Sequence, residues 1–351
     1  MKEIVLGSIM GTAVGDSLGL LYEGLSAQRQ KKLYRNIHSQ KFFMGKGLIS
    51  DDTEHTLMVA HALYHSSGDE VMFLKYLAKS LRKWIISMPL GVGFASLRAC
   101  VRLLFGISPK KSGVFSAGNG PAMRSALIGI IYGNDIDKMK SLVGISTRIT
   151  HTDPKAEIGA LAIAYAAFIA STQKTVEPSS FYEGLKKLLI GYESIEFLKL
   201  IEDVVRSVYN KESSKEYVER IGLEKGISGY IYHTVPVVIH AWLSYKGDFR
   251  RSIMEMIECG GDTDTTAAIL GSILGGSVTV AGIPEDLQKN IYLFPYSMKY
   301  IEDIGQVLGN RNKRVSKIQI KEPFWGLSLC RNLVFIPVIV FYVIRRMLPP
   351  Y

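Results

Sequence analysis

Apolar residues recur every three to four positions through most of the chain, as in TLMVAHALYH (56–65), VMFLKYLAKSLRKWI (71–85) and AEIGALAIAYAAFIA (156–170). That is the helical period, and no pair of alternating runs joined by a hairpin turn breaks it. A strand-loop-helix unit carrying GxGxxG is also missing, which removes the dinucleotide-binding and barrel architectures. The pattern predicts an all-α fold. Breakers at MPLGVG (88–93), GISPKKSGVFSAGNGP (106–121), STQKTVEPSS (171–180) and KGISGY (225–230) mark joints between helices, and none has the composition of a flexible linker. The polar stretch 209–226 reads as an exposed, partly helical excursion. Without a fixed-period repeat, the expectation is one compact body over 1–305, with a basic and hydrophobic extension over 306–351 packed on it.

Two apolar runs resemble membrane spans. IVLGSIMGTAVGDSLGLLYEG (4–24) spaces Gly7, Gly11, Gly15 and Gly19 four residues apart, but carries Asp16 at its centre. A charge there costs about 2.5–3.5 kcal/mol on insertion scales. The stripe is read instead as a face that lets another helix approach closely. LVFIPVIVFYVI (333–344) covers only about 18 Å at 1.5 Å per residue, against a hydrocarbon layer of about 30 Å. No transmembrane span is expected; peripheral membrane contact by the C-terminus stays open, because Arg345 and Arg346 follow the run.

The composition, 47% hydrophobic and 21% charged over 351 residues, is that of a globular protein with a large core. Three scattered cysteines, Cys100, Cys259 and Cys330, exclude a disulfide framework and point to a reducing, cytoplasmic setting. A net charge of +10 favours an anionic partner. The basic residues crowd into Gln28–Lys46 and Asn310–Lys321 without a nucleic-acid motif, so no specific nucleic-acid partner is predicted.

Chemistry concentrates in two acid clusters. In GLISDDTEHT, Asp51 and Asp52 lie between Ser50 and Thr53, directly before an apolar run. Capping and the helix dipole account for one carboxylate. A second beside it is repelled by about 4 kcal/mol at 4 Å and an effective dielectric of 20, so a cation is implied. IECGGDTDTTAAILGSILGG repeats the logic with Asp262, Asp264 and Thr265 after Gly260 and Gly261. Oxygen donors without cysteine or paired histidine select a hard cation, Mg²⁺ or Mn²⁺ before Zn²⁺. The second cluster lacks the glycine and terminal Glu of a calcium loop. His61 and His65 have a zinc-like spacing, but the Glu of HExxH is missing. His151, in ITHTDPKAEIG, stands at a helix mouth where it contacts an anionic ligand or rests as a satisfied loop histidine. Gly118, Asn119 and Gly120, before the helix carrying Arg124, read as a backbone cradle for a phosphate.

Taken together, GTAVGDSLGLLYEG, SDDTEHT, GNGPAMR, THTDPKA and GGDTDTTAAILGSILGG resemble the ADP-ribosylglycohydrolase family in order and spacing, over most of residues 3–290. The resemblance implies a compact orthogonal helical domain with a metal-lined cleft and a two-magnesium centre. It implies a hydrolase that cleaves the bond between C1″ of ADP-ribose and an acceptor: a modified protein side chain, a nucleic-acid base or a small ADP-ribose derivative. Carried over by motif, the metal ligands are Ser50, Asp51, Asp52, Asp262, Asp264 and Thr265, with Ser50 in place of the usual threonine. Glu23, Asp51 and Asp52 are the implied catalytic acids. Ser116, Gly118, Asn119 and His151 fall where the family binds substrate. WIISMPLGVGFASLRA lacks the acidic residue that relatives of the nitrogenase-regulating type carry, which puts arginine specificity in doubt. The alternatives are a terpene-type synthase, which needs a downstream Glu that the second cluster lacks, and a catalytically weak ADP-ribose-binding regulatory protein of the same fold. The retention of both acid clusters counts against the second.

Overall fold

The computed structural model describes residues 1–34, 37–89, 91–245, 247–310 and 318–349. The basic run predicted over Asn310–Lys321 lies largely outside them. As the periodicity predicts, the described chain is a stack of helices: α1 Lys2–Gly19, α2 Ala27–Leu33, α3 Asp51–Ser66, α4 Glu70–Ile86, α5 Phe94–Leu104, α6 Ala126–Tyr132, α7 Ile136–Arg148, α8 Pro154–Thr172, α9 Pro178–Leu188, α10 Ile195–Tyr209, α11 Ser214–Arg220, α12 Ile231–Ser244, α13 Phe249–Glu258, α14 Thr263–Gly282, α15 Glu285–Lys289, α16 Met298–Gly309 and α17 Trp325–Met347. Four two-residue strands join loops: β1 Leu25–Ser26 pairs antiparallel with β3 Gly260–Gly261, and β2 Gly47–Leu48 pairs parallel with β4 Ile291–Tyr292.

The centre of the fold is the crossing of α1 and α14, and the glycine stripe explains it. A Cβ on Gly11 would lie 2.0 Å from the Gly271 carbonyl oxygen. One on Gly7 would lie 2.2 Å from that of Gly275, and one on Gly15 2.0 Å from that of Ala267. The two helices therefore meet backbone to backbone, with α8 and α12 packed on α14 and with α16 and α3 on α1.

By length and composition α1, α8, α14 and α17 are each able to cross a membrane. The first three are mostly interior, with 89%, 72% and 67% of their apolar windows buried, whereas α17 is 22% buried. The length argument made from residues 333–344 needs correction. The helix continues on both sides of that run to 23 residues, about 34 Å at 1.5 Å each, because polar Ser328, Arg331 and Asn332 turn inward instead of ending it.

One buried histidine of the core is held neutral. His240 is fully buried, stacked on Tyr217 at 4.6 Å and within reach of the Ser207 and Ser214 hydroxyls at 3.0 and 3.2 Å. Burial holds its pKa down to about 4. The unfolded chain binds a proton there near pH 6.5 while the folded chain does not, so this contribution to stability is lost as pH falls from about 6.5 towards 4. From pH 7 to pH 5 the unfolding free energy is expected to drop by about 2 kcal/mol through this residue. Urea titrations of wild type and His240→Gln check it: the pH-dependent difference should shrink in the variant.

Candidate active site

Asp16, the one charged residue among the buried positions of α1, organises the first acid cluster. Its carboxylate accepts the Ser50 N–H at 2.9 Å, the Thr53 N–H at 3.1 Å and the Thr53 hydroxyl. These bonds fix the turn into α3, where the Ser50 hydroxyl caps the helix by accepting from the Asp52 N–H at 3.3 Å. The sequence reading used Asp16 only as a bar to membrane insertion and missed this role. A single carboxylate among glycines and apolar residues was the available signal.

The second cluster is set by glycine. Gly260 and Gly261 have φ of 78° and 85°, and a Cβ on Gly261 would lie 2.1 Å from the Ile227 carbonyl oxygen. The Asp262 N–H donates to that same oxygen at 2.7 Å, and α14 begins at the next residue. The β1–β3 pair and the Gly24 N–H bond to Gly261 O at 2.7 Å tie the loop carrying Glu23 to this cluster. Asp52 joins the halves: its Oδ2 accepts from Ser50 Oγ and from Thr265 Oγ1, each at 3.2 Å.

Carboxyls in this region are pushed up. Asp52 and Asp264, both buried, lie well above the ordinary range through burial first and then the neighbouring acids. Asp51 does so for the same reasons, with Asp16 and Glu23 the largest contributors after burial. Glu23 is raised by burial and by Asp262, against the opposing pull of Arg346. Asp16 reaches about 6, burial outweighing its hydrogen bonds.

Among the described residues no three His, Cys, Asp or Glu side chains close into a metal-binding group. The fit to a hard cation rests instead on the donors themselves. Asp52 Oδ1 and Asp264 Oδ1 are buried without a hydrogen-bond partner, and hydroxyls from Ser50 and Thr265 stand beside the acids. Orphaned carboxylate oxygens next to hydroxyls suit Mg²⁺ or Mn²⁺.

Ser116, Gly118 and His151 form a neighbouring group. The Gly118 N–H donates to Ser116 Oγ at 3.3 Å, and a Cβ on Gly118 would lie 3.0 Å from His151 Nε2. Asn119 connects the two groups, its Nδ2 donating to Asp262 Oδ2 at 2.7 Å and to Thr234 Oγ1 at 3.0 Å. One expectation changes. The helix over the GNGP loop is a 3₁₀ turn, Ala122–Arg124, and the Gly118 and Asn119 N–H groups already donate to Ser116 Oγ and Gly229 O, so the predicted phosphate cradle is not formed by them. Arg124 points inward, 1% exposed, and donates to Ser146, Thr150 and His55. His151 is held down to about 3 by burial and by Arg124, so it offers a ligand a neutral ring rather than a charge.

Beside the acids lies a cavity of about 120 Å³ lined by Glu23, Ser50, Gly91, Arg331, Tyr342 and Arg346 among others. Its far wall is α17. Arg331 Nη2 donates to Glu54 Oε1 at 2.6 Å with both side chains buried, Trp84 Nε1 donates to Glu54 Oε2 at 2.7 Å, and Asn332 Nδ2 donates to Ser87 O at 2.7 Å. Sequence reasoning gave these partners no role, because nothing local links residue 54 to residue 331. Arg331→Ala strands a buried carboxylate and is expected to cost about 3–5 kcal/mol, while Arg331→Met with Glu54→Gln should recover most of it. Urea denaturation of the three proteins measures both.

A family model described as ADP-ribosylglycohydrolase matches residues 1–314. An uncharacterized protein of Archaeoglobus fulgidus is 28% identical over 323 residues, covering 91% of this chain and 100% of that one. The ADP-ribosylhydrolase ARH3 of Gallus gallus is 25% identical over 86% of this chain and 92% of its own. The Rhodospirillum rubrum glycohydrolase named for ADP-ribosyl-dinitrogen reductase is 24% identical over 81% and 88%. A solved structure titled ADP-ribosylglycohydrolase-related protein complex superposes with a TM-score of 0.64 at 24% identity, over 90% of this chain and 98% of that one, and shows the shared fold.

Proposed function

This chain belongs to the ADP-ribosylglycohydrolase family and is a glycohydrolase of ADP-ribose linkages, and on that premise we propose that it acts with Mg²⁺ on ADP-ribose joined to an uncharged acceptor group. The acceptor reading is carried by the cavity beyond Glu23 and Ser50. Arg346 stands there, and Glu54 at its edge is already engaged by Arg331 and Trp84. Gly91, from the turn that lacks an acid, lies beside Asp51: a Cβ there would sit 3.7 Å from Asp51 Oδ1. A guanidinium would meet a like charge and an apolar turn, and among the described lining residues the carboxylates are Glu23, the proposed catalytic acid, and Glu54, already taken by Arg331 and Trp84.

Breaking the bond at C1″ builds positive charge on the anomeric carbon and requires the entering water to lose a proton. Ser50, Asp51, Asp52, Asp262, Asp264 and Thr265 would hold magnesium, which when bound polarises ribose hydroxyls and water. Glu23 is partly exposed at the mouth of the cleft. Burial and Asp262 raise its pKa, which moves it towards the range in which a carboxylate exchanges protons effectively. With metal bound, Asp51 and Asp52 would be held ionised and would supply negative charge against the positive charge developing at the anomeric carbon, and Asn119 holds Asp262 in orientation.

Chromatographic assay of ADP-ribose release from serine-, arginine- and base-linked substrates tests the reading. The serine-linked substrate is expected to turn over about tenfold faster than the arginine-linked one or better, a gap of 1.4 kcal/mol. Release should stop on chelation and return with Mg²⁺ or Mn²⁺. Faster release from arginine would overturn the acceptor assignment, and turnover indifferent to chelation would overturn the metal.

A further inference from the structure

The outward face of α17 has no role in the site. Leu333, Val334, Val340, Phe341, Ile344 and Met347 follow one another at steps that keep them on one side of the helix, and Val334, Phe341 and Met347 are 69%, 61% and 69% exposed. The inward stripe, Ser328, Arg331, Asn332, Phe335, Tyr342 and Arg346, rests on the body. A continuous apolar face of this length on the outside of a monomer marks a contact surface.

Its surroundings identify the partner by charge. From Gly24 to Ser50 the chain carries Arg29, Lys31, Lys32, Arg35, Lys41 and Lys46 and not one acid, and no acid follows Glu322. The first of these segments abuts α17: the Phe42 ring lies 4.9 Å from Tyr342 and Phe43 lies 5.7 Å from Phe335. The Tyr342 hydroxyl donates to Phe42 O at 2.6 Å. Beside that contact Met44 is 88% exposed, and Lys41 and Lys46 are also exposed. Apolar side chains beside lysines without acids are complementary to a layer of anionic headgroups over hydrocarbon.

We propose that α17 and the adjoining 41–46 loop form a docking surface for an anionic lipid bilayer, with the helix lying in the plane of the interface. It stays on the body as it does so. Inserting it across the bilayer would pull Arg331 off Glu54 and Asn332 off the Ser87 carbonyl, leaving buried polar groups without partners. Docking in the plane leaves every one of those bonds in place. This inference does not depend on the acceptor or the metal.

Flotation of the full chain with vesicles of phosphatidylcholine, alone or mixed with phosphatidylglycerol, tests it. Partition onto the mixed vesicles should be about tenfold higher or more, and should weaken in high salt. The variant Val334→Glu, Phe341→Glu, Ile344→Glu should lose that partition about tenfold while keeping its circular dichroism spectrum and its turnover in solution. Three outcomes overturn the proposal: no preference for the anionic vesicles, equal partition of the variant, or protein that alkaline carbonate fails to release, which would mean a spanning helix. A dimer in light scattering that the same variant dissociates would overturn it too, assigning the face to a second copy of the chain.

Discussion

Asp264→Asn is expected to lower ADP-ribose release by at least about a thousandfold while leaving the metal-free protein as stable as wild type or more so. Asparagine keeps the shape of the side chain and removes one charge from a buried group of acids that raise one another's pKa. Taking a carboxylate out of such a set relieves repulsion, so a loss of activity cannot be put down to a damaged fold. The hydrolysis step loses an oxygen donor it has no means of replacing. Calorimetry separates the two effects. Mg²⁺ should raise the Tm of the wild type and leave that of the variant nearly unmoved, because only binding to the folded state stabilises it. If the variant keeps a tenth of wild-type turnover, or gains as much Tm from Mg²⁺, Asp264 is not a metal ligand.

Gly11→Ala should be among the most damaging single methyl additions in the protein. Its Cβ would come within 2.0 Å of Gly271 O and 2.8 Å of the carbonyl carbon, and both belong to backbone that has no rotamer to escape into. The helices must separate, and overpacking of that kind costs about 3 kcal/mol or more. Gly93→Ala is the control, since nothing lies within 4 Å of its Cβ position. Thermal unfolding and soluble yield give the answer: a Gly11→Ala protein within 0.5 kcal/mol of wild type, on the order of an ordinary surface change, would contradict the backbone-to-backbone crossing.

Much of this was legible in the chain. The helical period gives the fold class, and Gly7, Gly11, Gly15 and Gly19 announce a close helix neighbour without saying which one it is. The neighbour is α14, whose own Gly271 and Gly275 lie in the GSILGG run that was read only as a mount for acids. Ser50, Asp52 and Thr265 stand out by chemistry, and the structure brings them together across more than two hundred residues of sequence. What escaped was whatever depends on a distant partner. Asp16 looks like a misplaced charge until the Ser50 and Thr53 N–H groups are seen beside it. Arg124 marks no more than the helix behind a glycine loop until its guanidinium is found facing Ser146 and Thr150. The inward turn of Arg331 and Asn332 makes a long helix out of what reads as a short apolar tail, because polar residues end an apolar run in the sequence but not a helix in three dimensions.

The α1–α14 crossing also governs how the chain is made. Lys2–Gly19 leaves the ribosome about 260 residues ahead of its partner, which begins at Thr263. At about 5–20 residues per second, that partner follows roughly 15 to 50 seconds later. Through that interval an apolar helix of membrane-spanning length has its glycine face open to whatever is nearest. Early chain release, slow codons or a shortage of holding chaperones should therefore injure this protein at its first helix, long before any residue of the catalytic cleft has met its counterpart.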